Sequence, residues 1–164
     1  MTSALFKYES LSSTNTELSK LLTDSLPEFS VVISDYQTEG RGQLGPYWEP
    51  EKGAHLQFSM LFYPHFLSLA LIDFFYQCIP SAEFTIKWPN DIYYQDKKIA
   101  GILIENSIQG SKISSSIVGI GLNVNQTHFI SDALNPISLA SITGKQYSLS
   151  TLFENLQLHL RFRY

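Results

Sequence analysis

Between residues 84 and 120 the chain offers four strand-like segments, Phe84–Ile86, Ile92–Tyr94, Ile99–Glu105 and Ile113–Ile120, and the first three are separated only by short polar turns. Pro89-Asn90-Asp91 and Gln95-Asp96-Lys97 are too short for the long crossover that a parallel return requires, so these strands run antiparallel. Further elements precede and follow them. Phe6-Lys7-Tyr8 reads as a short first strand and Val31-Val32-Ile33 as a buried one. Thr14-Asn15-Thr16-Glu17 has capping-box spacing and is followed by Leu18, Leu21 and Leu22 at helical intervals. Leu56, Phe58, Met60 and Phe62 alternate with His55, Gln57, Ser59 and Leu61, the pattern of a half-buried strand. A helix fits Phe66 to about Cys78. Thr151-x-x-Glu154 opens a last one, with Leu152, Leu156 and Leu160 on one side. The expected class is α+β, a largely antiparallel mixed sheet with flanking helices. No repeat or Pro/Ser-rich linker divides the chain, so residues 1–164 are expected to be a single domain.

Composition narrows the function. Eleven basic against fifteen acidic residues give a net charge of -4. No Lys/Arg run exceeds Lys97-Lys98, so a nucleic-acid partner is not expected. The most apolar stretch, Phe66 to Pro80, contains Ser68, Asp73 and Gln77 and is too short to span a bilayer. The N-terminus lacks the basic and apolar regions of a secretory signal, and the single cysteine, Cys78, points to a reducing compartment. The expectation is a cytoplasmic protein without a membrane partner.

Residues 37–53 change character: glycines at 40, 42, 45 and 53, prolines at 46 and 50, and few aliphatics. A loop of that length inside a small domain is usually functional, and mobility is expected of it. Gly40-Arg41-Gly42 lets backbone N–H groups approach an anion while one guanidinium reaches it from the side. Arg41 is the only arginine in the first 160 residues. A glycine-rich surface loop with one arginine is the other reading. Neither a Walker A nor a dinucleotide-binding spacing is present. Trp48 either stacks on a purine or anchors the loop.

A second cluster lies in Lys87-Trp88-Pro89-Asn90-Asp91, with Lys98 seven residues after Asp91. A tight hairpin would bring Asp91 and Lys98 together across paired strands. There a lysine could neutralise a carboxylate nucleophile and the phosphate it attacks; a solvated turn is the alternative. Gly119 and Gly121 within a strand suggest close approach by a ligand. Asn123 beside them either reads an adenine edge or caps a turn. The four histidines lack metal-ligand spacing, no Gly-x-Ser-x-Gly elbow occurs, and Cys78 in its helix reads as an apolar filler.

Ser12-Ser13-Thr14-Asn15, Gln37-Thr38-x-Gly40-Arg41-Gly42, Lys87-Trp88-Pro89-Asn90-Asp91, Lys98-Ile99-Ala100-Gly101-Ile102-Leu103-x-Glu105 and Gly119-x-Gly121-x-Asn123 together resemble the biotin–protein ligase family, in that family's order and over roughly residues 5 to 160. The resemblance implies the biotin–lipoate ligase catalytic fold, similar to class II aminoacyl-tRNA synthetases. It also implies two chemical steps. The carboxylate of biotin attacks the α-phosphate of Mg-ATP to give biotinyl-5′-AMP, and a lysine of a biotin carboxyl carrier protein then takes the biotinyl group. It assigns catalysis to Lys98, Arg41 and Asp91. Biotin falls to Ser13, Thr14, Asn15, Gln37, Gly40, Arg41, Gly42, Gln43, Lys98, Gly119 and Gly121. ATP falls to Arg41, Trp48, Lys87, Asn90, Lys98 and Asn123, with Mg2+ entering through ATP and no protein ligand assigned to it. The 37–53 loop would close on the ligand and exclude water from the anhydride.

Three departures accompany the resemblance. Gln43 and Pro46 stand where many members carry basic residues, which bears on how tightly the loop grips the adenylate. The chain begins at the catalytic domain, so the DNA-binding domain of many bacterial members is not expected. The small β-domain that usually follows the last helix is expected to be absent. A self-pairing edge strand, and with it a homodimer, stays open. Two rivals stay open as well: a lipoate or octanoate ligase of the same fold, and a non-catalytic biotin-binding or sensor module.

Overall fold

The strand-like segments come together in a seven-stranded sheet. A computed structural model describes residues 3–22, 26–27, 29–40, 54–61, 67–109, 112–129 and 135–163. In chain order the strands are β1 (Leu5–Tyr8), β2 (Val31–Ser34), β3 (His55–Leu61), β4 (Phe84–Lys87), β5 (Asp91–Tyr94), β6 (Lys97–Gln109) and β7 (Lys112–Asn123). The helices are α1 (Thr14–Leu21), α2 (Leu67–Cys78), α3 (Leu139–Thr143) and α4 (Leu149–Arg163). The strand order is β1-β2-β3-β7-β6-β5-β4. β2/β3, β4/β5 and β5/β6 pair antiparallel, as the short turns require, whereas β1 and β2, joined through α1, pair parallel. The sheet is mixed and the class α+β. None of the described helices is long and apolar enough to cross a membrane.

The chain forms two compact units. The first comprises Met1–Tyr63 and Ile102–Gly121. Its core is Leu18 of α1, Val32 of β2 and Ile117 of β7, ringed by Phe6, Tyr8, Leu11, Leu21, Leu26 and Leu61. Here two sequence expectations need correction. The cap of α1 is Ser13, not Thr14: Ser13 is extended and its hydroxyl accepts from the Thr16 N–H, while Thr14 already lies in the helix. β3 is not half-buried either. His55, Gln57 and Ser59 are as inaccessible as Leu56, Phe58 and Met60, because α1 packs over the polar face.

The second unit comprises Pro64–Gly101 and Leu122–Tyr164. Its helices α2 and α4 pack on each other. α2 buries Leu67, Ala70, Leu71, Phe74 and Phe75, and α4 buries Leu152, Phe153, Leu156 and Leu160. Each large side chain withdrawn from water contributes about 1.5–3 kcal/mol before chain entropy opposes it. Phe75 stacks on Phe84 at 4.9 Å, tying α2 to β4, and a two-pronged Arg163–Asp73 pair, at 2.6 and 3.0 Å, joins α4 to α2. α4 begins two residues before Thr151, because the Ser148 hydroxyl accepts from the Thr151 N–H. The periodicity did not announce α3, a single turn capped by Ser138 and closed by Gly144 in the left-handed conformation.

Cys78 ends α2 and is partly buried, and burial pushes its thiol up to about 11. The thiolate is the reactive form, so alkylation of the folded chain at about pH 8 is expected to run roughly 100-fold slower than that of a small free thiol. Equal rates for native and urea-unfolded chain would contradict that protection.

Candidate active site

In the first unit, polar side chains gather where α1 starts. The segment after β2 runs alongside residues 11–12, with Leu11 N–H to Tyr36 O at 3.2 Å, Thr38 N–H to Leu11 O at 3.0 Å and Glu39 N–H to Ser12 O at 2.9 Å. That pairing delivers Gln37 to the helix N-terminus, where its Oε1 accepts from the Thr14 N–H at 2.6 Å. Beneath it, the Ser59 hydroxyl of β3 lies 2.8 Å from Thr14 Oγ1 and bonds to Asn15 Oδ1. Asn15 Nδ2 donates to Glu105 Oε2 of β6 at 2.5 Å. A carboxylate can only accept, so this contact fixes which way the Asn15 amide faces. Asn15 also rests directly on Gly119 of β7; a Cβ at 119 would occupy the space of its Oδ1. Glycine at 119 is therefore what lets this carboxamide lie on the strand.

The second unit holds the lysine. Asp91 pairs with Gly101 across β5 and β6, and a bulge between Ile92 and Tyr93 sets Lys98 opposite Tyr93. From there Lys98 folds its side chain back over Gly101 and places Nζ 2.7 Å from Asp91 Oδ1. A Cβ on Gly101 would lie 3.3 Å from Lys98 Cε and 3.4 Å from Nζ. The pair is mostly covered, with the lysine side chain 28% and the aspartate 19% exposed. Removing either partner would strand a half-buried charge.

The bulge leaves Ile99 without a partner on β5, while the Lys98 peptide bonds to residues 135–137. Lys98 N–H donates to Asn135 O and Ile137 N–H to Lys98 O, both at 2.9 Å. Asn135 holds a left-handed φ of 51°, which asparagine tolerates, and its side chain is tied to Asp96 Oδ2 at 3.0 Å. Asn123 is buried, with Nδ2 3.4 Å from Lys98 O. This side chain thus faces the lysine backbone, a role neither sequence reading anticipated.

The other expected residues distribute as follows. Lys87 ends β4 opposite Asp91, with its ammonium 4.9 Å above the Tyr93 ring. Asn90 is half-buried in the turn before β5. Gly40 is buried. Gly121 lies two residues from Gly119 on β7. Arg41, Gly42, Gln43 and Trp48 fall outside the described residues, and so does the 41–53 part of the expected loop. Sequence reasoning missed Ser59, Glu105 and the 135–137 segment. The first had a signal, since serine in an apolar strand needs a partner; the last had none, because a backbone partner 37 residues away leaves no local pattern.

Comparison with known proteins adds an independent line. A family model described as the biotin/lipoate A/B protein ligase family matches residues 8–123. The bifunctional ligase/repressor BirA of Bacillus subtilis is 32% identical, in an alignment covering 98% of this chain and 53% of that protein. The biotin–[acetyl-CoA-carboxylase] ligase of Paracoccus denitrificans is 35% identical, covering 68% of this chain and 51% of that one. The chain spans about half the length of the curated relatives it matches. Among solved structures, biotin protein ligase from Aquifex aeolicus in complex with biotin and ATP has a TM-score of 0.81 at 28% identity, covering 96% of this chain and 68% of that one. With the family model spanning well over half of its residues, and the sheet, Asn15 cluster and Lys98–Asp91 pair in place, the chain belongs to the biotin/lipoate A/B protein ligase family.

Proposed function

We propose that the chain activates biotin with ATP and passes the biotinyl group to a lysine of a biotin carboxyl carrier protein. The observation that carries this reading is the Lys98 ammonium, held over Gly101 by Asp91 at 2.7 Å. It is supported by a relative named as a biotin–[acetyl-CoA-carboxylase] ligase and by a 28%-identical structure whose ligands are biotin and ATP.

In the first step a carboxylate oxygen of biotin attacks the α-phosphorus of ATP. The bond to the β-phosphate oxygen breaks, leaving biotinyl-5′-AMP and pyrophosphate. Two anions repel as they meet, so a fixed cation stabilises the transition state more than the separated substrates. Lys98 fills that role, pre-set by Asp91 and by the backbone bonds from residues 135–137. Ser13, Thr14, Asn15 and Gln37, with the strand at Gly119 and Gly121, hold the biotin body. Lys87, Asn90 and Asn123 serve the nucleotide side, with Arg41 and Trp48 from the loop. In the second step the acceptor amine attacks the acyl carbon, AMP leaves with the bonding electrons, and an amide forms; Asp91 accepts the proton that the amine sheds. Among the described residues no three His, Cys, Asp or Glu side chains come together to hold an ion. Magnesium in this reading is bound through the phosphates of ATP, whose charge it neutralises. A cytoplasmic location completes this reading.

Biotin-dependent exchange of pyrophosphate into ATP is the test. Exchange with biotin is expected; exchange only with lipoate would redirect the assignment to that acid, and none with either would leave a binding module. Lys98→Ala is expected to lower single-turnover adenylate formation at least ~100-fold, the usual cost of losing one oriented charge stabiliser. A near-normal rate in that variant would end the role given to Lys98. Gly119→Ala drives a methyl group into Asn15 and is expected to weaken biotin binding by about 10-fold or more in calorimetry, since overpacking costs roughly 1–3 kcal/mol. Unchanged affinity would remove Asn15 from the binding surface.

A further inference from the structure

Gln57 is a polar residue of β3 that the machinery above does not use. It is 2% exposed, and its Nε2 is shielded from solvent with no hydrogen-bond partner among the described residues. The register of β2 and β3 sets Ser34 opposite Gln57 and Val32 opposite Ser59. Gln57 therefore shares the α1-covered face with Ser59, the residue that touches Thr14 and Asn15. Leu61 and Ile117 pack in one apolar cluster, and Asn15 links Ser59 to Gly119. β3 and β7 are neighbours in the sheet; Gln57 lies two residues from Ser59, on the strand face that Asn15 touches. Gln57 thus lies one step along that face from the Asn15 contact. Its neighbour Ser34 offers little, for that hydroxyl donates to Tyr36 O at 2.7 Å and accepts from the Tyr36 N–H.

Folded chains rarely leave a buried amide donor idle, because nothing then repays the water it has lost. Apolar side chains of similar size would fill the same space without that loss. An unused donor beside a candidate binding surface is understandable if its acceptor arrives with the ligand. We propose that the Gln57 carboxamide is an affinity-determining contact of this site, donating through Nε2 to a carbonyl or carboxylate oxygen of the bound acid. The inference rests on the reading of the site as a biotin site.

Calorimetric titration of the full chain with biotin, together with thermal unfolding of the unliganded protein, tests it in wild type, Gln57→Leu and Gln57→Met. Both substitutions keep approximate volume and delete the donor. The expected result is a roughly 10-fold weaker biotin affinity in both variants, with an unliganded Tm equal to or above that of wild type. Wild-type affinity in the variants overturns the inference alone. So does a fall in unliganded Tm with the affinity, since the amide would then have a partner within the chain. A wild-type chain that binds no biotin removes the reading of the site, and the inference with it.

Discussion

The Asn15 side chain is the joint on which the first unit depends. Its oxygen accepts a hydrogen bond from Ser59 on β3, its nitrogen donates one to Glu105 on β6, and its flat carboxamide rests on the bare backbone of Gly119 on β7. One residue near the start of α1 thus fixes that helix against three strands. Each bond is worth about 0.5–1.5 kcal/mol net; breaking the one between buried Ser59 and buried Asn15 costs more, whereas the exposed Glu105 can turn to water. Ser59, Thr14 and Gln37 follow from the same constraint: once a polar group is buried there, every neighbour within reach must be polar and complementary. The apolar cluster of Leu18, Val32 and Ile117 begins where this layer ends.

The second unit solves a different problem, that of holding a lysine ammonium group in one place. A lysine on an ordinary strand waves in solvent over many rotamers, and ordering it costs up to about 2 kcal/mol. Here the bulge at Ile92/Tyr93 turns Lys98 back over its own strand, Gly101 leaves room for its stem, and Asp91 takes its charge. The ordering cost is thus met on folding, which is the physical content of preorganisation.

Much of this was legible beforehand, for identifiable reasons. Short turns dictated antiparallel pairing after residue 84, and hairpin geometry brought Asp91 and Lys98 within reach of each other. What stayed hidden was set by distant partners. β3 looked half-buried because alternation records polarity, not exposure, and His55, Gln57 and Ser59 are polar yet covered. The α1 cap was placed one residue late because Ser13 and Thr14 are both good caps, and only the backbone conformation chooses between them. Asn123 is buried with its amide toward the Lys98 carbonyl, a neighbour 25 residues away in the chain that no local pattern announces.

The bonding of the Lys98 peptide to residues 135–137 also orders events in time. During synthesis Lys98 leaves the ribosome long before Asn135, so the emerging hairpin carries the lysine while its N–H and C=O are still bonded to water. Only when the 135–137 segment lies down does that peptide lose its freedom. A nascent chain that stops short of residue 135 therefore carries the Lys98 side chain without the backbone partners that fix its peptide.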